Sequence, residues 1–347
     1  MKKWLRRIAL SLLVLVIVAV ASGATYEFLG RRAARRDFPV RGELVDIGGR
    51  RLQVDCRGSG TPVVVLEAGL STGGALDWSA VHDSIAQTTR TCAYSRAGIM
   101  WSDAASGQLT AKRVAEDLHA ALGKAGEPPP YVLVGHSLGG PYIMTYTGYF
   151  GDEVAGLVMV DASHPEQLQR LKEVAPAAVE PNLTPMKVAR ALSWAGVVRL
   201  AMRSAPTMPN QSAEDARPIA AYASHSIDGA MAEMEALAAT FDEAGRFRTL
   251  GDRPLVVLTA AKPMPDSVRA ALKLSPEGAA KMQAAWKAMH DDEASWSTRS
   301  RHVLVDDATH YIQFDRPDVV IEAVRSVVDI VRGTEAAVDT VAATASR

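Results

Sequence analysis

The stretch "VLVGHSLGGPYIM", residues 132–144, limits the fold more than any other part of the chain. It sets a histidine and a serine among glycines at the point where one apolar run stops and another begins. Gly135 and Gly139 stand two residues before and two after Ser137, where they remove side chains that would collide in a tight strand-to-helix turn. Such a turn pushes the serine hydroxyl into the open, and the helix N-terminus behind it offers backbone N–H groups to a developing negative charge. Taken alone, the stretch also reads as a glycine-rich turn closing a strand, so its surroundings decide.

Those surroundings supply the context. "GELVDIGG" and "RRLQVDC" alternate around Gly48-Gly49 and predict a β-hairpin. "PVVVLEAG", residues 62–69, is a continuous apolar run ending in glycine, as expected of a strand covered on both faces. "WSAVHDSIAQTT" has helical spacing and "TCAYSRAG" reads as a short strand. "TAKRVAEDLHAALGKAG" predicts an amphipathic helix with Thr110 as N-cap and Gly123 or Gly126 near its end. "YVLVGHS", "LGGPYIMTYTGYF" and "VAGLVMVDAS" then predict strand, helix and strand. A hairpin followed by this alternation predicts an α/β fold, a mostly parallel central sheet with helices on both faces and ligand sites at the carboxyl ends of its strands. In that context Ser137 becomes a candidate nucleophile.

With 347 residues, 48% of them hydrophobic, the chain can bury one large core with an insertion or two smaller ones. Its 38 Lys and Arg against 39 Asp and Glu leave a net charge of −1, so no overall field draws it to nucleic acid, and no nucleic-acid partner is expected. It carries no repeat, no metal-ligand spacing and no dinucleotide fingerprint, so no cofactor or metal is implied.

The N-terminus departs from this average. "MKKWLRR" is followed by the uncharged "IALSLLVLVIVAVASGA", Ile8 to Ala24, about 17 residues and near the minimum for a membrane span. The pattern predicts export. Ala19-Val20-Ala21 and Ser22-Gly23-Ala24 offer small residues for cleavage, and the stretch equally serves as a retained anchor, so the localisation expected is secreted, periplasmic or membrane-anchored. A second basic cluster, Arg31, Arg32, Arg35 and Arg36, leaves the charge asymmetry across the stretch weak. Outside the cytoplasm Cys56 and Cys92 can be oxidised to a disulfide or remain two buried thiols.

"GHSLGG", "VVVLEAG", "CAYSRAG" and "ATHYIQFDRP" together resemble the α/β-hydrolases over nearly the whole chain from about Gly42 to Arg332. The resemblance implies an α/β-hydrolase fold with its second strand beside its fourth, which places Cys56 and Cys92 on adjacent strands and favours the disulfide. It also implies a base late in the chain, and His310 in "ATHYIQ" stands where the family carries it. His136 reads as a packing residue directed elsewhere, and His164 as a possible pocket residue. The family's chain order of nucleophile, acid, histidine leaves two acids at strand ends, Asp161 after "GLVMV" and Asp266 in "PLVVLTAAKPMPDSV". Asp161 is favoured as the acid, because orienting an imidazole demands a fixed position at the rim of the sheet. The oxyanion donors implied are the backbone N–H groups of Leu138 and Leu70. Here the family's usual His-Gly is Ala68-Gly69, which removes a side chain that often supports that loop, and "STGGALDW" beyond it reads as a mobile or substrate-facing segment.

The expected organisation is a signal or anchor segment and linker at 1–37, a hydrolase core at 38–161 and 254–332, a helical cap at 162–253 and a flexible tail at 333–347. Met186, Met202, Met208, Met231 and Met234 offer an adaptable apolar pocket ceiling, although methionines at such spacing also serve as plain core. The function expected is a serine hydrolase of carboxylesterase or lipase type, with Ser137, Asp161 and His310 as triad and a small-molecule ester as partner. Peptidase, thioesterase and acyltransferase chemistry use the same triad, and a non-catalytic ligand-binding protein keeps the same fold.

Overall fold

The structure is a computed structural model and describes residues 2–179 and 182–334. Most of the tail expected at 333–347 lies outside the described residues. Eight strands form one sheet: β1 Glu43–Asp46, β2 Arg51–Arg57, β3 Val63–Glu67, β4 Thr91–Ser95, β5 Tyr131–His136, β6 Val154–Val160, β7 Leu255–Ala260 and β8 Ser300–Val305. Their order is β1-β2-β4-β3-β5-β6-β7-β8, with β2 antiparallel to both its neighbours and every other pairing parallel.

The continuous apolar run of β3 follows from this position. Val64 and Leu66 pack on one face with Val132, Val134, Val158 and Val160 and with Val319, Val320 and Val324 of the helix Pro317–Arg332. Val63 and Val65 face the other way, onto Leu118 and Leu122 of the helix Ala111–Ala125 and Ile143 and Met144 of the helix Gly139–Tyr149. With both faces covered, each fully buried Val or Leu contributes on the order of 1.5–3 kcal/mol, and no polar alternation is tolerated.

Local signals place the turns and helix ends. Gly48 and Gly49 both take positive φ, 97° and 84°, in the loop that sets Val45 opposite Leu52. The Thr110 side chain accepts a hydrogen bond from the Arg113 N–H, and the helix ends at Gly126 in the left-handed conformation, so Gly126 rather than Gly123 is the stop. Cys56 and Cys92 are direct cross-strand partners on β2 and β4 and are joined as a disulfide.

Two segments differ from the expectation. "WSAVHDSIAQTT" forms only the short helix His82–Ala86: Val81 supplies no side-chain cap, and the Thr88 and Thr89 N–H groups both turn back to the Ile85 carbonyl, where the helix ends. "STGGALDW" is no open loop: Gly74–Trp78 is a 3₁₀ turn whose residues, Asp77 apart, are buried.

Between β6 and β7 the described chain is helical, its longest element being Ala213–Glu235. Between β7 and β8 lie two helices, Asp266–Ala271 and Pro276–Ala294, the second capped by Ser275. The N-terminal helix, Lys2–Asp37, runs on through the second basic cluster. Its most apolar window is fully exposed, while Glu27 and Ala34 near its C-terminal end are buried against the β6–β7 insertion.

Candidate active site

Ser137 sits between β5 and the helix Gly139–Tyr149 at φ 51°, a positive value that costs a non-glycine residue about 1–2 kcal/mol. The surrounding contacts hold it there. A Cβ on Gly135 would come 2.7 Å from the Gly139 carbonyl carbon, and one on Gly139 would come 2.3 Å from the Glu67 carbonyl oxygen. The Ser137 carbonyl accepts hydrogen bonds from the N–H groups of Gly140 and Ser163, both at 2.9 Å, which ties the turn to the loop leaving β6.

That loop begins with Asp161, also at positive φ, 43°, and 2% exposed. Asp161 Oδ2 meets His310 Nδ1 at 2.6 Å, while Oδ1 accepts from the Ala260 N–H at 2.9 Å and the Trp286 indole at 3.0 Å. Burial pushes this carboxyl up, but the hydrogen bond and charge of His310 outweigh it and hold it below the usual carboxylate range. Asp266 is placed otherwise: its side chain is 91% exposed and pairs with Arg269 on its own short helix. Of the two acids, only Asp161 meets the imidazole.

His136 corrects its reading as a residue directed away from the site. Its Nε2–H donates to the His310 carbonyl at 2.8 Å, and the two rings lie 4.7 Å apart. Burial, with His310 nearby, lowers His136 to about 3, so it stays neutral and holds its donor tautomer. His164 is fully buried but does not line the cavity at His310. It meets Asp292 at 3.0 Å through Nε2 and accepts from the Glu166 N–H through Nδ1.

Behind Asp161, His290 sits fully buried with Nε2 at 2.9 Å from the Ala162 carbonyl. A chain of contacts leads outward from its Nδ1 through the Thr259 hydroxyl to His302 and then Asp291. Trp286 and His290 both come from the helix Pro276–Ala294, which sequence reasoning left unassigned. Its Ser275-Pro276 start was a readable signal, but an inward face carrying His290 and Glu293 hides the apolar stripe.

The loop after β3 closes the other side. A Cβ on Gly69 would lie 3.0 Å from the Ser137 Cβ, so Gly69 and the following Leu70 run beside the serine, and Leu138 is buried at the cap of the next helix. Arg96, on the segment leaving β4, braces this loop. Its guanidinium donates to the Ala68 carbonyl at 2.6 Å and the Gly69 carbonyl at 2.7 Å, and pairs with Glu67 at 2.6 Å and Glu233 at 2.7 Å. The signal was present in "VVVLEAG", because a carboxylate in a strand buried on both faces demands a cation. Beside this loop burial pushes Asp77 up to about 6 against the opposing hydrogen bond from the Ser71 hydroxyl.

A cavity of about 500 Å³ opens at the imidazole, lined by Asp161, His310 and Tyr311 and by Met264, Pro265, Val268, Met282 and Trp286. Its methionines come from the β7–β8 helices and their approach. Met186, Met202 and Met231 pack instead into the core of the β6–β7 insertion, and neither Met208 nor Met234 lines this cavity. Among the described residues His164, Glu166 and Asp292 bring ligand atoms within 4.8 Å of one another, but Arg170 bridges both carboxylates and Arg248 pairs with Glu166. The sulfurs of a second such group, Cys56, Cys92 and Glu127, are already bonded to each other.

Comparison with known proteins agrees with this architecture. A probable transporter of Hormonema carpetanum is 35% identical over 130 residues, 35% of this chain and 18% of that protein. An uncharacterized protein of Bacillus subtilis, YbdG, is 25% identical over 166 residues, 48% of this chain and 51% of that protein. The chain thus aligns with about half or less of the length of either relative. A thermophilic esterase from Thermogutta terrifontis superimposes with a TM-score of 0.53 at 20% identity, covering 84% of this chain and 98% of that one, a likeness of fold. The sequence profile of the alpha/beta hydrolase fold family matches residues 62–238, just over half the chain and the span that holds β3 to β6, Ser137 and Asp161, and the protein belongs to that family.

Proposed function

We propose that the protein is a serine hydrolase that cleaves carboxylic esters bearing an apolar group, held at a membrane by its N-terminal helix with the catalytic domain in an oxidising compartment. The observation that carries the chemistry is the 2.6 Å contact of Asp161 with His310 beside the strained turn of Ser137. In this reading His310 takes the Ser137 proton as the oxygen attacks the ester carbonyl, and the N–H groups of Leu70 and Leu138 receive the developing oxyanion. His310 returns the proton to the departing alcohol. A water molecule, deprotonated by the same imidazole, then releases the acid and restores the serine. Asp161 holds the ring in the tautomer that presents Nε2 as base and stabilises the imidazolium. The apolar side chains Met264, Val268, Met282 and Trp286 favour a hydrophobic group over a charged one in the cavity at His310. The Cys56–Cys92 disulfide and the exposed apolar helix support export.

The test is hydrolysis of p-nitrophenyl acyl esters of increasing chain length by the full chain in detergent, beside Ser137→Ala and Asp161→Asn. Turnover should vanish in the first variant and fall by about 10⁴-fold in the second, the scale seen when a triad loses its tautomer control. A folded wild type that hydrolyses none of the esters and is not modified by a fluorophosphonate would defeat the proposal.

A further inference from the structure

The β6–β7 insertion carries an apolar face that no described part of the chain covers. Val188 and Leu192 turn outward from the end of the helix Thr184–Ala191, Trp194 is half exposed, and Val197 and Leu200 point outward from Val197–Met202 while Val198 and Arg199 of that helix are buried. Single exposed hydrophobic residues are ordinary, but a contiguous set next to a membrane-length helix is not.

The join between the two is close and polar-locked. A Cβ on Gly23 would come 2.5 Å from the Ala195 carbonyl oxygen, and one on Gly196 would come 2.7 Å from the Tyr26 ring. One turn further along, buried Glu27 meets Arg199 at 2.9 Å, Arg31 at 2.6 Å and the Ser224 hydroxyl at 2.6 Å. The insertion therefore rests against the helix where its uncharged stretch, Ile8 to Ala24, ends. Trp4 and Tyr26 bracket that stretch, about 33 Å apart at 1.5 Å per residue, close to the roughly 30 Å of a bilayer core. Trp194, beside Tyr26, consequently lies at the level where aromatic residues anchor to headgroups, and exposed Lys187, Arg203, Arg32 and Arg35 add a basic rim suited to lipid phosphates.

We propose that this face is a membrane seat, with Leu192, Trp194, Val197 and Leu200 entering the lipid of the leaflet from which the N-terminal helix emerges. The seat rests on the retained, spanning helix proposed above. Because Glu27 and Arg199 clamp helix to insertion, lipid contact fixes the attitude of the insertion relative to the bilayer instead of leaving the domain on a free tether.

The test uses the full chain reconstituted into phosphatidylcholine–phosphatidylglycerol vesicles, with an environment-sensitive fluorophore on Leu200→Cys or, separately, Val197→Cys. Lys124→Cys, exposed at the C-terminal end of the helix preceding β5, is the reference. Both native cysteines are disulfide-bonded and do not compete for label. The expected result is a blue-shifted emission at positions 200 and 197, quenched several-fold more by shallow spin-labelled lipid than at position 124. Equal, weak quenching at all three in carbonate-resistant, vesicle-bound protein would overturn the seat and leave the anchor standing. Release of the protein by carbonate would overturn both. A blue shift without lipid quenching would overturn the seat in favour of a contact with a second copy.

Discussion

Two buried charge clusters converge on the helix Ala213–Glu235, and they are mirror images in sign. In one, Arg96 lies between two carboxylates, Glu67 and Glu233, with the Tyr94 hydroxyl donating to Glu67. In the other, Glu27 lies between two guanidinium groups, Arg31 and Arg199. The first is sealed: Arg96 is 6% exposed and its partners 1% and 2%, and burial pushes the Glu67 carboxyl up despite the neighbouring cation. The second stays open on one side, with Arg31 44% exposed. Ser224 and Glu233, the helix residues in the two clusters, stand nine positions apart, about 13 Å along the axis. One rigid element thus connects the N-terminal helix to the carbonyls of Ala68 and Gly69 beside Ser137. The difference in sealing teaches where each link is strong: breaking a fully buried pair leaves a charge that water cannot reach, whereas an open pair rehydrates.

The largest expected effect follows from breaking the sealed cluster. Arg96→Met should cost about 3–5 kcal/mol in chemical unfolding, the range for orphaning one side of a buried pair. It should also depress turnover by freeing the Ala68–Gly69 carbonyls. The triple variant with Glu67→Gln and Glu233→Gln should recover part of the stability, and full stability in Arg96→Met alone would contradict the assignment. Glu27→Gln breaks the open cluster and should cost less, about 1–2 kcal/mol, because Arg31 can turn to solvent and buried Arg199 keeps its bonds to the Ala221 carbonyl and the Ser224 hydroxyl. Unfolding in the same detergent, with ester turnover as a second readout, compares the two directly.

A smaller effect is expected at His136, which touches neither cluster but holds the imidazole from behind. His136→Phe should lower kcat by roughly tenfold with little change in KM, as loss of a positioning contact does. With the wild-type residue lowered to about 3, the pH profile of the wild type above pH 5 should carry no step from its titration. The smallest effect is at Asp77, close enough to the Arg96 cluster to be influenced by both Arg96 and Glu233. Its carboxyl is pushed up to about 6 from an ordinary 3.8, so between those values the folded chain keeps a proton that the unfolded chain has released. Stability contributed by this group is therefore present at low pH and lost as pH rises through 6. Asp77→Asn should match wild type in melting temperature near pH 4 and exceed it at pH 7. An equal difference at both pH values would remove the carboxyl from this account.

The parts of the site that sequence exposed are those whose physics is local. Gly135 announces the turn at Ser137 because the atoms its side chain would strike, those of Gly139 and Gly140, are close in the chain, and Thr110 and Gly126 announce helix ends through equally local contacts. The sequence favoured Asp161 over Asp266 from its place directly after a strand but left the second acid open, since the path of the segment after each strand is not written locally. Arg96 was quoted within "CAYSRAG" yet had no visible role, because its partner Glu233 lies 137 residues away on an insertion of unrelated pattern. Met186, Met202 and Met231 take the plain-core alternative, and the cavity at His310 draws its methionines from the β7–β8 segment, because helical spacing reports that a residue is buried and does not report against what.

By itself, then, the sequence determined the alternation of strand and helix, the sharp turn at Ser137, the order serine, acid, histidine and the membrane-length apolar helix. The order came from the family resemblance, and the others depend on periodicity or sterics within a few residues. The tertiary structure alone decided which acid meets His310, that Arg96 braces the loop at Gly69, that Trp286 and His290 stand behind Asp161, and that Glu27 locks the N-terminal helix to the insertion. Those contacts join residues 27 to 172 positions apart. They depend on strand order and on which helix crosses which strand end, and these are set by the packing of the whole core.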